Sequence, residues 1–314
     1  MTWRDNPPRV RVLSDNDYAG DPDGLLQLAH HALSPSVDLV GVLSTHLREG
    51  DPFDPSGRSA RHGAVAARHV LALCGRDDVP VVTGSETALP DRSTPVRSAA
   101  AEAIVAEAMR EDTDLPLFLA CGAGLTEVAS AWMLEPRIAE RLTVVWIGGP
   151  EHPGVPAPPQ AGPSEYNLRI DVAAAQVVFG SDLPLWQVPR DAYRQVLAGM
   201  AELEQRLLPH GELGAHLYGQ LDGVHDLTAA HGLASGETYV LGDSPLVLLT
   251  ALQTTFEADP ASSRYRVLAR PAVDDDGEYV AGPATGAPVR VYEHLDTRLV
   301  LEDLYAKLAR RGAG

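Results

Sequence analysis

Short apolar runs alternate with longer alanine-rich segments in the first half of the chain, and this alternation constrains the fold more than any other feature. The segments between the runs, such as "ARHGAVAARHVLALC", repeat apolar residues at the i, i+3, i+4 spacing of a helix packed on one face. The runs have strand length: "VRVLS" (10–14), "DLVGVL" (38–43), "VPVVT" (79–83), "LPLFLA" (115–120), "LTVVWIGG" (142–149) and "LPLWQV" (183–188). Strand–helix alternation predicts an α/β fold, an open and mostly parallel sheet flanked by helices with a Rossmann-like core.

Capping residues mark the starts of predicted helices, and two stretches interrupt the alternation of strands and helices. Ser98 and Asp171 stand where N-caps belong. The stretch 148–167 is rich in Gly and Pro and predicts a long surface loop, whereas 219–237 has little apolar period and predicts a mobile insertion. Since no repeat or linker is visible, we expect one domain over 1–314.

Composition excludes several classes of partner. The formal net charge of −18 argues against a nucleic-acid surface or an anionic membrane. The longest apolar runs have strand length and are too short to cross a bilayer. Two cysteines do not make a disulfide framework, and the N-terminal "MTWRDNPPRV" has no apolar signal region. We therefore expect a cytoplasmic protein with reduced thiols.

Four aspartates crowd the end of the first predicted strand. The segment "SDNDYAGDPDG", Ser14 to Gly24, carries them within eleven residues. One interpretation is a solvated acidic turn, because Asp, Asn, Gly and Pro are the usual turn formers. The other is a hard-cation site, in which shared coordination replaces mutual repulsion. The segment alone leaves both open.

Two further polar elements stand before predicted helices. In "SEYNLRID", Glu165 and Asn167 are two residues apart and face the same way if the segment is extended, which offers an acceptor and an amide to vicinal hydroxyls. In "GDSPL", Asp243 precedes a helix for which Ser244 and Pro245 fit the N-cap and first-turn positions. Loop solvation and an ordinary helix start are the structural alternatives.

These three elements, in this order, resemble the inosine–uridine-preferring nucleoside hydrolase family. The first resembles the aspartate-rich strand end of that family, with two extra residues. "LACGAGLTEVASAWMLEPRIAERLTVVWIGG" resembles its Gly-Leu-Thr turn, helix and following strand. "SEYNLRIDVAAAQVVF" resembles its E-[FY]-N-x-x-x-D segment, and the match runs from about Val10 to the C-terminal helix. The resemblance implies a nucleoside-hydrolase-like fold and cleavage of N-glycosidic bonds in ribonucleosides.

The resemblance also implies a bound Ca²⁺ and a set of ligands for it. Asp15 and Asp17 match the first two metal-binding aspartates, and Asp17 also matches the catalytic general base. A backbone carbonyl at Gly122 or a neighbour and the side chain of Asp243 complete the implied metal site. Such an ion would hold and acidify the attacking water.

The implied substrate is a small nucleoside or ribosyl compound, with neither nucleic acid nor membrane as partner, and the assembly is left open between homodimer and homotetramer. Asp23 matches an aspartate that contacts a ribose hydroxyl, and Glu165 with Asn167 matches the ribose-binding pair. Tyr166 between them and His46 at a predicted strand end are added as candidate substrate contacts.

Three departures from the family pattern affect the site. Gly24 stands where a second aspartate is usual, so one expected carboxylate is missing. "STHLRE" follows the second strand without the usual asparagine, and "GDSPL" lacks a histidine. Three hypotheses therefore remain: a divergent nucleoside hydrolase, a related enzyme for a modified nucleoside in specialised metabolism, and a non-catalytic ribosyl-binding protein.

Overall fold

The computed structural model describes residues 7–159, 164–230, 232–234, 236–280 and 286–312. The strands in these ranges are β1 (Val10–Asn16), β2 (Val37–Ser44), β3 (Val81–Thr83), β4 (Leu117–Cys121), β5 (Leu142–Ile147), β6 (Leu185–Val188), β7 (Leu197–Gly199), β8 (Thr238–Val240), β9 (Arg264–Leu268), β10 (Ala272–Val273), β11 (Tyr279–Val280) and β12 (Val289–His294). The helices are α1 (Asp23–Ala32), α2 (Ser59–Cys74), α3 (Ala99–Ala108), α4 (Thr126–Leu134), α5 (Tyr166–Ile170), α6 (Val172–Gly180), α7 (Arg190–Tyr193), α8 (Met200–Leu207), α9 (Gly211–Ala230), α10 (Pro245–Thr250) and α11 (Thr297–Gly312).

A single large sheet organises the described part of the chain. Its eight strands lie in the order β3-β2-β1-β4-β5-β6-β12-β9, and every neighbouring pair is parallel except β12 with β9. The chain runs from β1 outward to β2 and β3 and then returns to place β4 on the other side of β1. Strand order therefore reverses between β1 and β4, where open α/β sheets leave a crevice for ligands at the carboxyl ends.

The predicted fold class is confirmed, and each of the six predicted strands overlaps an observed one. The strands are buried on both faces, because Val12 packs into the core on one side of the sheet and Leu13 into the core on the other. The predicted caps are also present: Ser98 accepts from the Ala101 N–H and Asp171 from the Ala174 N–H. None of the helices in the described ranges is long and apolar enough to cross a membrane.

Two predictions about irregular stretches need correction. Most of 219–237 is helical, because α9 extends to Ala230 and buries Leu213, Leu217 and Leu221. These leucines recur every four residues on one face, a signal that the neighbouring glycines and histidines obscure. The loop predicted for 148–167 is observed over 148–159, its residues 160–163 lie outside the described ranges, and its end forms the start of α5.

Candidate active site

A cavity of about 370 Å³ opens at the carboxyl ends of β1, β4 and β5, beside the point where the strand order reverses. Its walls come from residues far apart in the sequence. The described residues that line it are Asp17, Asp21, Asp23, Phe53, Gly122, Ile147, Glu165, Tyr166, Asn167, Tyr193, Arg194, Val240, Gly242 and Asp243. The three polar elements singled out in the sequence therefore meet in one place.

The acidic wall is held together by contacts between the first and last of these elements. Asp17 follows β1 directly, and the loop after it turns back at Gly20, whose N–H donates to the Asp17 carbonyl (2.7 Å). Asp23 opens α1, and its Oδ2 accepts the backbone N–H of Asp243 at 2.9 Å. Asp243 lines the cavity, whereas Ser244 takes the N-cap position of α10.

Asn16 connects the acidic wall to the interior beneath the cavity. Its Oδ1 accepts the N–H of Asp17 at 2.9 Å, and its Nδ2 donates to Asp243 Oδ2 at 2.7 Å. The same Nδ2 lies 3.4 Å from Gln27 Oε1. This role was missed in the sequence, because Asn16 stands there as a spacer between two aspartates.

Glu165 and Asn167 both line the cavity, but the backbone between them is not extended. Glu165 is the N-cap of α5, and its Oε2 accepts the N–H groups of Gly149 (2.8 Å) and Leu168 (3.0 Å). Asn167 lies inside the helix, and its Nδ2 donates to the carbonyls of Gly122 (3.0 Å) and Ile147 (2.8 Å). The prediction of an extended segment is wrong, because the capping bonds of Glu165 turn the chain into α5.

Aromatic side chains form the other part of the wall, and sequence analysis identified only one of them. The Tyr166 hydroxyl donates to Asp51 Oδ2 at 2.6 Å, and the Tyr193 hydroxyl donates to Glu165 Oε1 at 3.0 Å. Phe53 comes from the loop after β2. The signal that could have found these residues is positional, since loops after parallel strands surround the ligand crevice.

Two predicted site residues, Asp15 and His46, are not among the described residues that line the cavity. Asp15 is fully buried in β1, with its Oδ2 3.9 Å from Cys121 Sγ, because consecutive strand residues alternate in direction and Asn16 takes the side facing Asp243. His46 is buried as well, with its Nε2 3.1 Å from Thr126 Oγ1 and its Nδ1 2.9 Å from the Leu47 carbonyl.

The crowded carboxylates hold protons more tightly than free ones. Burial raises the pKa of Asp17 well above its usual range, and the charges of Asp243 and Asp21 raise it further. Burial also raises the pKa of Asp243 to about 7. The pKa of Glu165 is raised by burial, although the N–H groups that it accepts oppose the shift. The wall can therefore exchange protons closer to neutral pH than ordinary carboxyls do.

The arrangement of donors does not fit a calcium site. Ca²⁺ takes six to eight oxygen ligands, but Asp243 Oδ2 is occupied by the Asn16 amide and the Gly122 carbonyl by the Asn167 amide. Gly24 supplies no ligand, and Asp15 lies below the cavity. Within the described residues no group of three or more His, Cys, Asp or Glu side chains could hold a metal ion. The calcium ion thus has no part in the steps proposed below.

The fold and the cavity define a class: an α/β protein with an acidic ligand crevice at the switch point of its sheet. The model of the inosine-uridine preferring nucleoside hydrolase family matches residues 12–301, so the chain belongs to that family of N-glycosyl hydrolases. The resemblance stated from the sequence motifs is thereby confirmed.

Relatives and solved structures agree with this assignment. The inosine-uridine preferring nucleoside hydrolase of Leishmania major is 41% identical over 76 residues, which are 24% of this chain and only 23% of that relative. A plant nucleoside hydrolase superimposes with a TM-score of 0.69 at 18% identity, over 96% of this chain and 99% of that chain. The inosine-uridine preferring nucleoside hydrolase of Bacillus anthracis gives 0.69 at 17% identity, over 96% and 99%. At these identities the structural matches establish the fold.

Proposed function

We propose that this chain hydrolyses the N-glycosidic bond of a ribonucleoside or a related ribosyl compound, with water as the nucleophile. One observation carries the proposal: a single cavity joins a wall of carboxylates to an aromatic end, on a scaffold of the nucleoside hydrolase family. Such a cavity matches a ligand that is rich in hydroxyl groups at one end and flat at the other.

The sugar would lie against Asp23, Glu165 and Asn167. Carboxylate oxygens accept hydrogen bonds from vicinal hydroxyls, and the amide of Asn167 is held in place by two backbone carbonyls. Glu165 is held equally firmly by two backbone N–H groups and the Tyr193 hydroxyl. Groups fixed before the substrate arrives position the sugar with little loss of freedom on binding.

Asp17 would accept the proton of the attacking water. It lines the cavity, and its raised pKa brings it closer to the range in which a carboxylate acts as a general base. Cleavage of the C–N bond develops positive charge on the sugar ring, which the surrounding carboxylates stabilise more strongly than they stabilise the neutral substrate.

The base would occupy the part of the cavity formed by Phe53, Tyr166 and Val240. Aromatic faces stack on a planar heterocycle. Arg194, the only basic residue among the described lining residues, stands at this cavity with its side chain exposed. No leaving-group acid is assigned, and "GDSPL" provides no histidine for that role.

The test is release of free base and ribose from a panel of purine and pyrimidine ribonucleosides, each paired with its 2′-deoxy analogue. We expect turnover of at least one ribonucleoside and much weaker turnover of its deoxy partner, because Asp23 and Glu165 would lose a hydroxyl donor. Binding of ribonucleosides without turnover of any would instead support the ribosyl-binding alternative.

A further inference from the structure

Two glycines enclose the Asn16–Asp243 pair beneath the cavity. A Cβ at Gly24 would lie 2.8 Å from Asn16 Nδ2 and 3.2 Å from Asp243 Oδ2. A Cβ at Gly122 would lie 2.4 Å from the same nitrogen and 2.7 Å from the same oxygen. The amide and the carboxylate therefore fill the space between the two glycines, and neither glycine has room for a side chain unless the pair moves.

The orientation of the Asn16 amide is determined by its partners. Its Oδ1 accepts the Asp17 N–H, so the group turned toward Asp243 is the NH₂ donor. Gln27 Oε1 faces the same donor from the interior at 3.4 Å, and Gln27 in turn donates to Ser14 Oγ at 3.1 Å. A donor in this position satisfies an anionic acceptor and repels a cation.

We infer that the Asn16 amide takes the place of a divalent cation beneath the cavity, so that this site receives its ribosyl ligand with no metal ion at the floor. The inference rests on the proposed function, because it concerns the floor of the proposed ribosyl site. It explains why Gly24 has no carboxylate: an aspartate there would collide with the amide that already pairs with Asp243. Asn16 is a positioning residue, since it acts through Asp243.

The test measures metal binding and not turnover, so that its outcome is separate from that of the proposed function. Calorimetric titration of the parent protein with CaCl₂ should give no binding heat up to millimolar concentrations. Addition of EDTA should leave both the melting temperature and the stabilisation by added ribose unchanged. One tightly bound calcium per chain, with a Kd below about 10 μM, or a melting temperature that falls in EDTA would overturn the inference.

A substitution at Asn16 should create the calcium response that the parent protein lacks. Asn16→Asp replaces the donor with a carboxylate beside Asp243, and two adjacent carboxylates need a cation. We expect this variant to melt lower than the parent in EDTA and to gain about 3 °C or more in 1 mM CaCl₂. Gln187→Glu is the matched control, because it converts another buried amide, one that lies in β6 and donates to the Gly148 carbonyl, into a carboxylate. An equal calcium response in both variants, or none in Asn16→Asp, would contradict the assignment.

Discussion

At the scale of single residues, four acidic groups at or beside the cavity are each matched by a neutral hydrogen-bond donor. The pairs are Asp243 with Asn16 Nδ2, Glu165 with the Tyr193 hydroxyl, Asp21 with the Tyr239 hydroxyl and Asp51 with the Tyr166 hydroxyl. Neutral donors stabilise buried carboxylates without cancelling their charge. The negative potential of the cavity is therefore retained for a substrate that becomes positive in the transition state.

The first prediction concerns Asp17. Asp17→Asn keeps the size of the side chain but removes the proton acceptor, and we expect turnover to fall by about 10²–10⁴-fold with little change in ligand affinity. Asp21→Asn is the matched control, the same change on the same wall. It weakens the hydrogen bonds that Asp21 Oδ1 accepts from the Tyr239 hydroxyl and the Asp23 N–H, and it should cost less than about tenfold. Steady-state rates on the best ribonucleoside decide the matter, and equal losses in both variants would remove Asp17 from its proposed role.

Sequence analysis predicted which aspartates lie at the cavity better than it predicted the direction of each side chain, and the roles of these aspartates stay predictions. Asp17, Asp23 and Asp243 line the cavity as expected. Asp15 does not, because alternation along β1 turns it toward Cys121, and Asn16 takes the position that faces the cavity floor. Sequence spacing alone cannot show where a strand ends and a turn begins.

At the scale of secondary-structure elements, Asp171 joins two helices, α6 and α4, to the loop that contains Leu89. Its Oδ1 caps α6 through the Ala174 N–H (2.9 Å), and its Oδ2 accepts from the Leu89 N–H (2.7 Å) and the Thr126 hydroxyl (2.8 Å). The side chain is buried, so water cannot replace these bonds. Asp171 follows α5 directly and caps α6, so its bonds fix the junction of these two helices to α4 and to the loop at Leu89.

Loss of this anchor should destabilise the fold. Asp171→Ala removes the cap of α6 and leaves two further buried donors without their acceptor. We expect the free energy of unfolding to fall by about 2–4 kcal/mol. Asp182→Ala is the control, because Asp182 is exposed and accepts one bond from Trp132 Nε1 (2.9 Å). It should cost about 0.5 kcal/mol. Urea unfolding measures both, and similar losses would show that Asp171 is not an anchor.

Helix α1 carries a buried neutral histidine behind the cavity floor. The Thr250 hydroxyl donates to the Leu246 carbonyl, so it accepts from His31 Nε2 at 2.8 Å, and His31 Nδ1 is left to accept from the Gln27 amide. Burial, together with the neighbouring His30, lowers the pKa of His31 to about 3. A charged imidazole would oppose the Gln27 donor.

This histidine predicts a pH-dependent stability. The pKa is lower in the folded state than the unfolded value of about 6.5, so the stabilisation is complete above pH 6.5 and is lost as pH falls below it. His31→Gln removes the titrating group. The stability difference between parent and variant should therefore shrink by about 2 kcal/mol from pH 7 to pH 5 and stay constant from pH 7 to pH 8. Urea titrations at these pH values provide the measurement, and a constant difference throughout would contradict the neutral assignment.

Prediction of secondary-structure elements was most successful for the parallel strands, because their continuous apolar runs of strand length indicate strands that are buried on both faces. It was least successful for α9, where only three leucines and one glycine are buried and the other residues are half-buried or exposed. The short helix α5 was missed for another reason. Glu165 caps its start through the Leu168 N–H, and tertiary bonds with Gly149 and Tyr193, which no local pattern encodes, hold that side chain in place.

At the scale of the whole molecule, the strand order brings together segments more than two hundred residues apart. Asp17 and Asp243 lie at the same cavity because β1 is an interior strand of the sheet and α10 packs against the neighbouring strands β4 and β5. The alternation of elements predicted the parallel sheet, but not which loops would surround the crevice, so Phe53, Tyr193 and Arg194 were found only in the structure. The net charge of −18 and the acidic wall together favour an uncharged nucleoside over a phosphorylated one.

The central claim is hydrolysis of a ribosyl C–N bond by water held in this cavity. Its most direct test is turnover of the ribonucleoside panel in ¹⁸O-labelled water without added phosphate, followed by mass spectrometry of the sugar. We predict free base and ribose that carries one ¹⁸O atom at C1. Base release that requires phosphate and yields ribose 1-phosphate, or no base release from any ribonucleoside, would contradict the account.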